Sequence, residues 1–179
     1  MFCMDRAGLS ANDGPTHHGL FDISYLRCVP NIICMAPKDE DELVDMMFTA
    51  SLEKHPTFIR YPRGPAEGVA IKDQPKVLEI GKAEVLQNFS GQRGPKVALF
   101  PLGNMQKIAR NAADQLAAEG CDVAIVNPRF TKPLDEAAHE YFGRAADLVV
   151  TLEDHVLPGG YGSTVLELFG DKQISTPVI

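Results

Sequence analysis

The fold is decided by residues 31–64, NIICMAPKDEDELVDMMFTASLEKHPTFIRYPRG. An apolar run from Asn31 to Ala36 predicts a buried strand, and Pro37 ends it before Asp39 begins a helix. A second strand follows from Thr57 to Tyr61. Because short connections join the helix to both strands, we predict that the strands run parallel through a right-handed crossover. Their carboxyl ends then share one edge of a sheet.

Two sets of side chains are predicted to enter the core. Glu42 follows Asp39 by the spacing of a capping box, and the helix then places four apolar residues on one face: Leu43, Met46, Met47 and Ala50. The four cysteines form no CxxC pair and lie mostly in apolar surroundings, so we expect them to be reduced and buried: Cys3, Cys28, Cys34 and Cys121.

A charged, glycine-rich loop follows the first predicted strand. Phe2 to Met4 form this strand, residues 5–19 the loop, and Phe21 to Tyr25 the start of a helix. The loop therefore leaves the carboxyl end of a strand, where ligands bind in open α/β sheets. Arg63 lies just beyond its strand, as Arg6 lies just beyond the first. We expect the two guanidinium groups to converge on one crevice, and two forked donors suit a phosphate.

The residue types in this loop predict chemistry. Arg6 can bind an anion, Asp13 can accept hydrogen bonds, and His17 can gain or lose a proton near neutral pH. The alternative is a polar surface loop whose histidines face water. Surface ion pairs are likewise the alternative for Arg60 and Arg63, and they are the outcome that we expect for Arg60, which falls inside its strand.

Composition limits the functional classes. The chain has 179 residues, of which 45% are hydrophobic, enough to bury a core in one large domain or two small ones. A formal net charge of −7 without a Lys/Arg cluster argues against nucleic-acid binding. No apolar stretch has the length of a membrane span, and the first residues lack a secretion signal. We therefore expect a cytoplasmic protein that binds neither nucleic acid nor membranes.

The second half of the sequence again predicts alternating strands and helices. From Pro65 to Pro95 the chain is rich in Pro, Gly, Gln and Lys, with one strand-like run at Ile80 to Leu86, and this composition predicts a connector. Three strands with intervening helices follow, at Val97 to Leu102, Val123 to Val126 and Leu148 to Leu152. The predicted division is residues 1–66, a connector at 67–94, and residues 95–179. Because both halves are short and both termini lie in strands, the last at Pro177 to Ile179, we expect a fragment.

Three further motifs are weaker. Gly103 follows a strand without the rest of a GxGxxG pattern, so a dinucleotide site is not supported. Glu153-Asp154-His155 resembles a metal or acid–base cluster, but consecutive strand residues point to opposite faces, so we expect a loop or subunit contact. Gly159-Gly160-Tyr161-Gly162-Ser163 lacks the end of a P-loop and predicts a close backbone approach to a neighbouring segment, with ligand contact as the alternative. No metal site is predicted.

Several motifs together closely resemble one enzyme family. They are Asp5-Arg6-Ala7-Gly8, residues 13–22 (DGPTHHGLFD), Tyr25-Leu26-Arg27, Ala36-Pro37 and Arg60-Tyr61-Pro62-Arg63-Gly64. In order and spacing they are similar to the 1-deoxy-D-xylulose-5-phosphate synthases, a family of transketolase-like thiamine diphosphate enzymes. The resemblance runs through essentially the whole chain. It implies an α/β fold: the later part of a pyrimidine-binding domain at 1–66, then most of a transketolase C-terminal domain at 95–179.

The resemblance also implies an activity. The complete enzyme uses thiamine diphosphate and Mg²⁺: the thiamine carbanion attacks pyruvate, carbon dioxide leaves, and the two-carbon unit joins glyceraldehyde 3-phosphate. The product is a precursor for the biosynthesis of isoprenoids (terpenoids) and of thiamine. The family's metal motif and activating glutamate lie upstream of these residues, so we expect this chain alone to bind neither cofactor and to be inactive. A homodimer is expected.

Four residues take roles by resemblance. Arg6 and Arg63 match the guanidinium groups that hold the acceptor's phosphate, His17 matches the imidazole beside the reacting carbons, and Asp13 keeps the site in register. The chain departs from the family at Ser10-Ala11-Asn12, where a small apolar residue, Gly and Ala are usual.

Other classes of protein stay open. One is a non-catalytic association module that pairs with itself or with a separately encoded partner, as part of a split transketolase-like enzyme. An intact cofactor-binding chain encoded immediately upstream would favour it. Another is the beta subunit of a 2-oxoacid dehydrogenase, which the paired Asp-Arg-Ala-Gly and Tyr-Pro-Arg-Gly motifs disfavour.

Overall fold

Two four-stranded sheets organise the chain, which a computed structural model describes over residues 1–10 and 13–179. The strands are β1 Phe2–Met4, β2 Ile33–Met35, β3 Thr57–Arg60, β4 Glu84–Gln87, β5 Lys96–Pro101, β6 Asp122–Asn127, β7 Phe130–Lys132 and β8 Leu148–Leu152. The helices of this part are α1 Asp22–Leu26, α2 Glu40–Leu52, α3 Gln106–Ala118, α4 Glu136–Ala145 and α5 Tyr161–Asp171. The sheet orders are β1-β3-β2-β7 and β4-β6-β5-β8, which confirms the α/β fold.

The first sheet contains the predicted parallel unit. β3 pairs in parallel with β2 on one side and with β1 on the other, so the loops after β1 and β3 leave the same edge. The Asp39 side chain caps α2 by accepting the Glu42 N–H at 2.8 Å. The Glu42 carboxylate accepts from the Lys38 N–H, also at 2.8 Å. The predicted capping box is therefore present in a modified form, in which the Glu42 carboxylate accepts the N–H of Lys38 instead of the N–H of Asp39.

One strand from the second half of the sequence joins the first sheet. β7 belongs to the second half but pairs antiparallel with β2 of the first sheet, and its Phe130 is fully buried beside Met35, Met46 and Ile59. β4 lies in the predicted connector but pairs antiparallel with β6 of the second sheet. The connector thus contributes a sheet strand, and the halves of the chain interlock.

The buried face of α2 is more polar than predicted. Met46 and Ala50 are buried and Leu43 is half-buried, as expected, but Met47 is exposed, so that prediction is wrong. Three polar residues complete the inward face, at the i, i+3, i+7 spacing of a helix: Glu42, Asp45 and Thr49. Burial of these groups is tolerated because each has hydrogen-bond partners.

The cysteines differ in their surroundings. All four are free thiols, but only Cys34 is buried; Cys121 is half-buried, and Cys3 and Cys28 are exposed. The prediction of burial is wrong for Cys3, which is exposed on the edge strand β1. It is wrong for Cys28 because that residue lies in the turn after α1.

The last residues extend the second sheet. The Val149 N–H donates to the Pro177 carbonyl at 2.9 Å, and the Ile179 N–H donates back to the Val149 carbonyl at 3.0 Å. The predicted strand character of 177–179 is therefore confirmed as a pairing with β8. None of the helices in the described ranges has the length and apolar character needed to cross a bilayer.

Candidate functional site

Backbone hydrogen bonds hold the segment after β1, residues 5–10, which we call the arginine loop. The Ala7 N–H donates to the Tyr61 carbonyl at 3.0 Å, and the Gly19 N–H donates to the Arg6 carbonyl at 3.1 Å. Arg6 itself adopts φ = +57°, in the left-handed region. A Cβ at Gly19 would lie 2.5 Å from the Arg6 carbonyl oxygen. Glycine at that position therefore allows the close backbone approach that fixes Arg6.

Arg6 and Arg63 meet at one carboxylate. Arg6 Nε donates to Asp13 Oδ2 at 2.8 Å, and an Arg63 terminal nitrogen forms a close ion pair with Asp13 Oδ1. The meeting follows from the sheet, because β1 and β3 are parallel neighbours and both arginines lie just beyond their ends. The side chain of Asp13 is only 14% exposed. We call Arg6, Asp13 and Arg63 the two-arginine site.

Together with Asp5, the two-arginine site is electrically balanced. Arg6 also pairs with Asp5 Oδ2 at 2.7 Å, so two guanidinium groups face two carboxylates. The side chains of Arg63 and Asp5 are at least half exposed, and exposed ion pairs are weak. An incoming anion can therefore replace a carboxylate partner without a large loss of stability.

His17 lies apart from these three residues. It ends a 3-10 turn, Pro15–His17, is exposed, and its Nδ1 lies 3.1 Å from Thr16 Oγ1. Across the described ranges, its ring makes no hydrogen bond or ion pair with the two-arginine site. The neighbouring His18 points inward instead, where its Nδ1 accepts the Ser10 N–H at 2.9 Å. Of the four candidate residues, the structure thus brings together Arg6, Asp13 and Arg63.

The loop that departs from the family pattern is only partly described. Ser10 is buried, and its backbone is held by His18 as stated. Ala11 and Asn12, the other two residues of the departure, lie outside the described residues.

A cavity of about 410 Å³ opens beside Arg63, at the carboxyl ends of β2 and β3. Its walls come from the loops that follow these strands, with Pro37, Tyr61 and Arg63, from Leu43 of α2, and from Asn104 after β5. Burial, with the nearby charges of Cys3 and Asp5, raises the pKa of Tyr61 above its usual value. Tyr61 therefore presents a neutral phenol, a hydrogen-bond donor or acceptor, to this cavity.

Arg60 is a buried structural residue. Its Nε donates to Asp22 Oδ2 at 2.7 Å, and the two side chains are 7% and 4% exposed. A terminal nitrogen of Arg60 also donates to the Asp154 carbonyl at 3.0 Å. The prediction of a surface ion pair is therefore wrong. α1 begins at Asp22 and covers the end of β3, which removes the pair from water.

Comparison with known proteins identifies the family. The model of the transketolase C-terminal domain matches residues 81–179, and that of the transketolase pyrimidine binding domain matches residues 1–67. The chain belongs to the transketolase family. Its sequence is 50% identical to the 1-deoxy-D-xylulose-5-phosphate synthase of Methylacidiphilum infernorum and 51% identical to that of Acidobacterium capsulatum, over 179 residues in each case. The resemblance to a C-terminal portion of these synthases is therefore confirmed.

The relatives are longer than this chain. The match covers 100% of the chain but 28% of the length of each of these two synthases. A solved structure described as a split gene transketolase, inactive beta4 tetramer, is similar with a TM-score of 0.82 and 29% identity. That match covers 99% of this chain and 55% of the other.

In this transketolase-family chain, a charged network that sequence reasoning missed joins the two sheets. Arg129 Nε donates to Glu42 Oε1 at 2.7 Å, Asn127 Nδ2 donates to the same carboxylate at 3.0 Å, and Lys38 Nζ bridges Glu42 and Glu84. Burial alone would lower the pKa of Lys38, but Glu42 and Glu84 outweigh it and raise that pKa. Burial likewise works against ionisation of Glu84, but Lys38 and Arg129 lower its pKa overall. Lys38 and Glu84 therefore stay ionised, and the network links the sheets.

The segment Glu153-Asp154-His155 makes loop contacts, as predicted. The Glu153 carboxylate accepts the first N–H groups of α5, from Tyr161 at 2.7 Å and Gly162 at 2.8 Å. A Cβ at Gly160 would lie 2.6 Å from Glu153 Oε2. The predicted close backbone approach of the 159–163 segment is therefore confirmed, and its partner is this carboxylate.

Proposed function

We propose that these residues form the acceptor-binding side of a 1-deoxy-D-xylulose-5-phosphate synthase. Such an enzyme transfers the two-carbon unit of pyruvate to glyceraldehyde 3-phosphate and releases carbon dioxide. The observation that carries the proposal is the meeting of Arg6 and Arg63 at one anionic group. The two similar synthases, at about half identity over the whole chain, support the same reaction.

Arg6 and Arg63 would hold the phosphate of the acceptor. Two forked guanidinium groups offer hydrogen bonds to several phosphate oxygens at once. Asp13 now receives bonds from both arginines, so its carboxylate competes with an incoming phosphate for these donors. Fixing the phosphate restricts the aldehyde end of the acceptor and lowers the entropic barrier to carbon–carbon bond formation.

His17 would move a proton at the acceptor's carbonyl oxygen. When a carbon–carbon bond forms at an aldehyde carbon, negative charge develops on the aldehyde oxygen, and a nearby imidazolium can neutralise it by proton transfer. Exposure of His17 in the turn Pro15–His17 leaves its ring accessible to a ligand. The adjacent His18 is committed to the Ser10 amide, so His17 is the better candidate.

We assign thiamine diphosphate and Mg²⁺ to other segments of the enzyme. In the part of the chain that the structure covers, no group of three or more His, Cys, Asp or Glu side chains is placed to hold a metal ion. By the resemblance, the family's metal motif and its activating glutamate lie upstream of these residues. We expect no binding heat when thiamine diphosphate with Mg²⁺ is titrated into the 179-residue chain, and no product from that chain alone.

A chimera tests the acceptor role. Residues 1–179 would replace the matching part of the Methylacidiphilum infernorum synthase, and steady-state rates would be measured against each substrate. Loss of a charged hydrogen-bonding group removes about 1.5–3 kcal/mol of binding, so Arg63→Ala should raise the KM for glyceraldehyde 3-phosphate by roughly 10- to 150-fold. The KM for pyruvate should stay unchanged.

The matched control is Arg93→Ala, which removes an exposed arginine from the segment before β5. We expect wild-type kinetics from it. An Arg63→Ala chimera whose rate depends on glyceraldehyde 3-phosphate as the wild type does would disprove the assigned role.

A second candidate is a subunit of a split enzyme. The similar solved structure is described as a split gene transketolase, and it forms an inactive beta4 tetramer. In that case this chain would associate with copies of itself and gain activity only with a separately encoded cofactor-binding chain. Sedimentation equilibrium of the purified chain tests self-association. A homodimer supports a portion of a single-chain synthase, and a tetramer supports a subunit of a split enzyme. A monomer argues against both forms of self-association.

A further inference from the structure

Asp154 of the second half of the chain reaches the arginine loop of the first. It lies two residues after β8, and both of its carboxylate oxygens lie 3.1 Å from the Leu9 backbone nitrogen. Leu9 is three residues from Arg6 in the same loop. A residue that follows the second sheet therefore fixes the loop that carries a phosphate-binding candidate beside the first sheet.

The contact is also a close steric fit. Gly8 adopts φ = +79°, and a Cβ at this position would lie 1.9 Å from Asp154 Oδ2. The carboxylate thus packs directly against the Gly8 backbone and occupies the space of a side chain. The arginine loop cannot move toward β8 without displacing Asp154.

Asp154 is itself anchored on both sides. Its carbonyl accepts a hydrogen bond from the buried Arg60 at 3.0 Å. The next residue, His155, has a fully buried ring whose Nε2 accepts the Ile23 N–H at 3.2 Å. The Val156 N–H donates to the Leu20 carbonyl at 3.1 Å. Because its backbone is fixed and an aspartate has only two side-chain torsions, the carboxylate has little freedom.

We propose that Asp154 is a positioning residue of the acceptor site. It holds the arginine loop where Arg6 reaches the phosphate, so the geometry of the site depends on strand β8 of the other sheet. The part of this inference that concerns phosphate rests on the proposed function. The part that concerns the loop does not.

The first experiment measures the loop directly. Amide hydrogen exchange of Leu9 would be followed by NMR in the 179-residue chain. Asp154→Ala removes the acceptor and should accelerate Leu9 exchange by about tenfold or more, because the amide opens locally. Asp154→Asn keeps an oxygen acceptor of the same shape and should exchange at nearly the wild-type rate. Exchange in α3 should not change.

The matched control is Asp147→Ala. Asp147 also lies in the second half and also accepts one backbone N–H, from Lys96 at 2.8 Å, but its partner is not in the arginine loop. Leu9 exchange should therefore stay at the wild-type rate. Should Asp154→Ala not fold, Gly8→Ala tests the contact from the other side, because its Cβ displaces the carboxylate and should also accelerate Leu9 exchange.

The second experiment measures the acceptor site in the chimera described above. Asp154→Ala should raise the KM for glyceraldehyde 3-phosphate about five- to tenfold, with little change in kcat or in the KM for pyruvate, because one phosphate ligand is misplaced. Asp154→Asn should restore the wild-type KM. A residue needed only for folding would lower the amount of active enzyme and leave both KM values unchanged.

The outcomes separate the two hypotheses. Unchanged Leu9 exchange in a folded Asp154→Ala or Gly8→Ala chain overturns the positioning role. So does an unchanged acceptor KM for Asp154→Ala in a chimera where Arg6→Ala does raise it. If Arg6→Ala itself leaves the acceptor KM unchanged, the proposed phosphate role of Arg6 is wrong, while the Leu9 exchange still decides whether Asp154 holds the loop.

Discussion

Arg60 and Asp22 show how one residue pair joins strand β3 to helix α1. Both side chains are buried, and their ion pair is 2.7 Å long. Removal of one partner leaves an uncompensated buried charge, so Arg60→Ala should lower the free energy of unfolding by about 3–5 kcal/mol. Urea denaturation would measure the change. Lys107→Ala, which removes an exposed partner of Glu67, should change it by less than about 1 kcal/mol.

A change of less than about 1 kcal/mol for Arg60→Ala would contradict this account. It would mean that Asp22 finds water or another donor when the guanidinium is gone.

His139 should make stability depend on pH. Its ring is fully buried, stacks on Phe100 and lies between the Asp135 carbonyl and the Tyr161 hydroxyl, at 2.7 and 2.6 Å. Nδ1 must donate to the carbonyl, so Nε2 accepts from the hydroxyl and cannot take a proton without losing that bond. Burial lowers the pKa of His139 from 6.5 to about 4. The folded state therefore resists a proton that the unfolded chain accepts.

The sign follows from this lowered pKa. The stabilising contribution is present above the unfolded pKa of about 6.5 and is lost as the pH falls toward 4. Between pH 7 and pH 5, the wild type should lose about 2 kcal/mol more stability than His139→Gln, whose side chain does not titrate. Urea titrations of both proteins at the two pH values measure the difference. Parallel losses would show that His139 does not control the acid sensitivity.

At the scale of elements, α2 anchors the segment that precedes β4. Asp45 Oδ1 accepts the Lys76 N–H at 2.7 Å, its other oxygen pairs with the Lys72 ammonium, and Thr49 Oγ1 accepts the Leu78 N–H at 2.8 Å. Asp45→Ala should release this segment and accelerate trypsin cleavage after Lys72 and Lys76 by about tenfold, since proteolysis follows local opening.

Mass spectrometry of a digestion time course would measure the two cleavages. Met47→Ala is the control, because Met47 is exposed on the same helix. Equal cleavage of wild type and Asp45→Ala would mean that the remaining bonds hold the segment without Asp45.

The predictable features are those with local causes. The parallel unit of β2, α2 and β3 follows from apolar runs, Pro37 and the cap at Asp39, all of which act over a few residues. The meeting of Arg6 and Arg63 follows in turn, because parallel neighbouring strands end at one edge. For these features the residue pattern contained the decisive information.

The features that sequence reasoning missed depend on distant partners. On α2, Asp45 and Thr49 are stabilised by backbone N–H groups about 30 residues later, and apolar periodicity has no signal for such a match. β7 joins the first sheet because Phe130 fits its core. The position of Asp13 between the two arginines was missed for a similar reason: loop conformation depends on three segments at once.

At the scale of the whole molecule, the pairing of β7 with the first sheet predicts a single unfolding transition. The first sheet thereby contains a strand from the second half of the chain, and the network of Glu42 and Arg129 also connects the two sheets. Calorimetric and van't Hoff enthalpies of the 179-residue chain should therefore agree. Arg129→Ala should lower the midpoint without splitting the transition. Two separate transitions in the wild type would contradict this coupling.

The carboxylate of Asp13 between Arg6 and Arg63 has a consequence for ligand discrimination. A singly charged competitor, such as the carboxylate of a 2-oxo acid, exchanges one monoanion for another and gains little attraction. A phosphate monoester near neutral pH carries almost two charges and more oxygens, so it alone gains from the replacement. Under the proposed function, the monovalent carboxylate of Asp13 would favour dianions over monoanions at the two-arginine site, and a 2-oxo acid would compete poorly with a phosphate there.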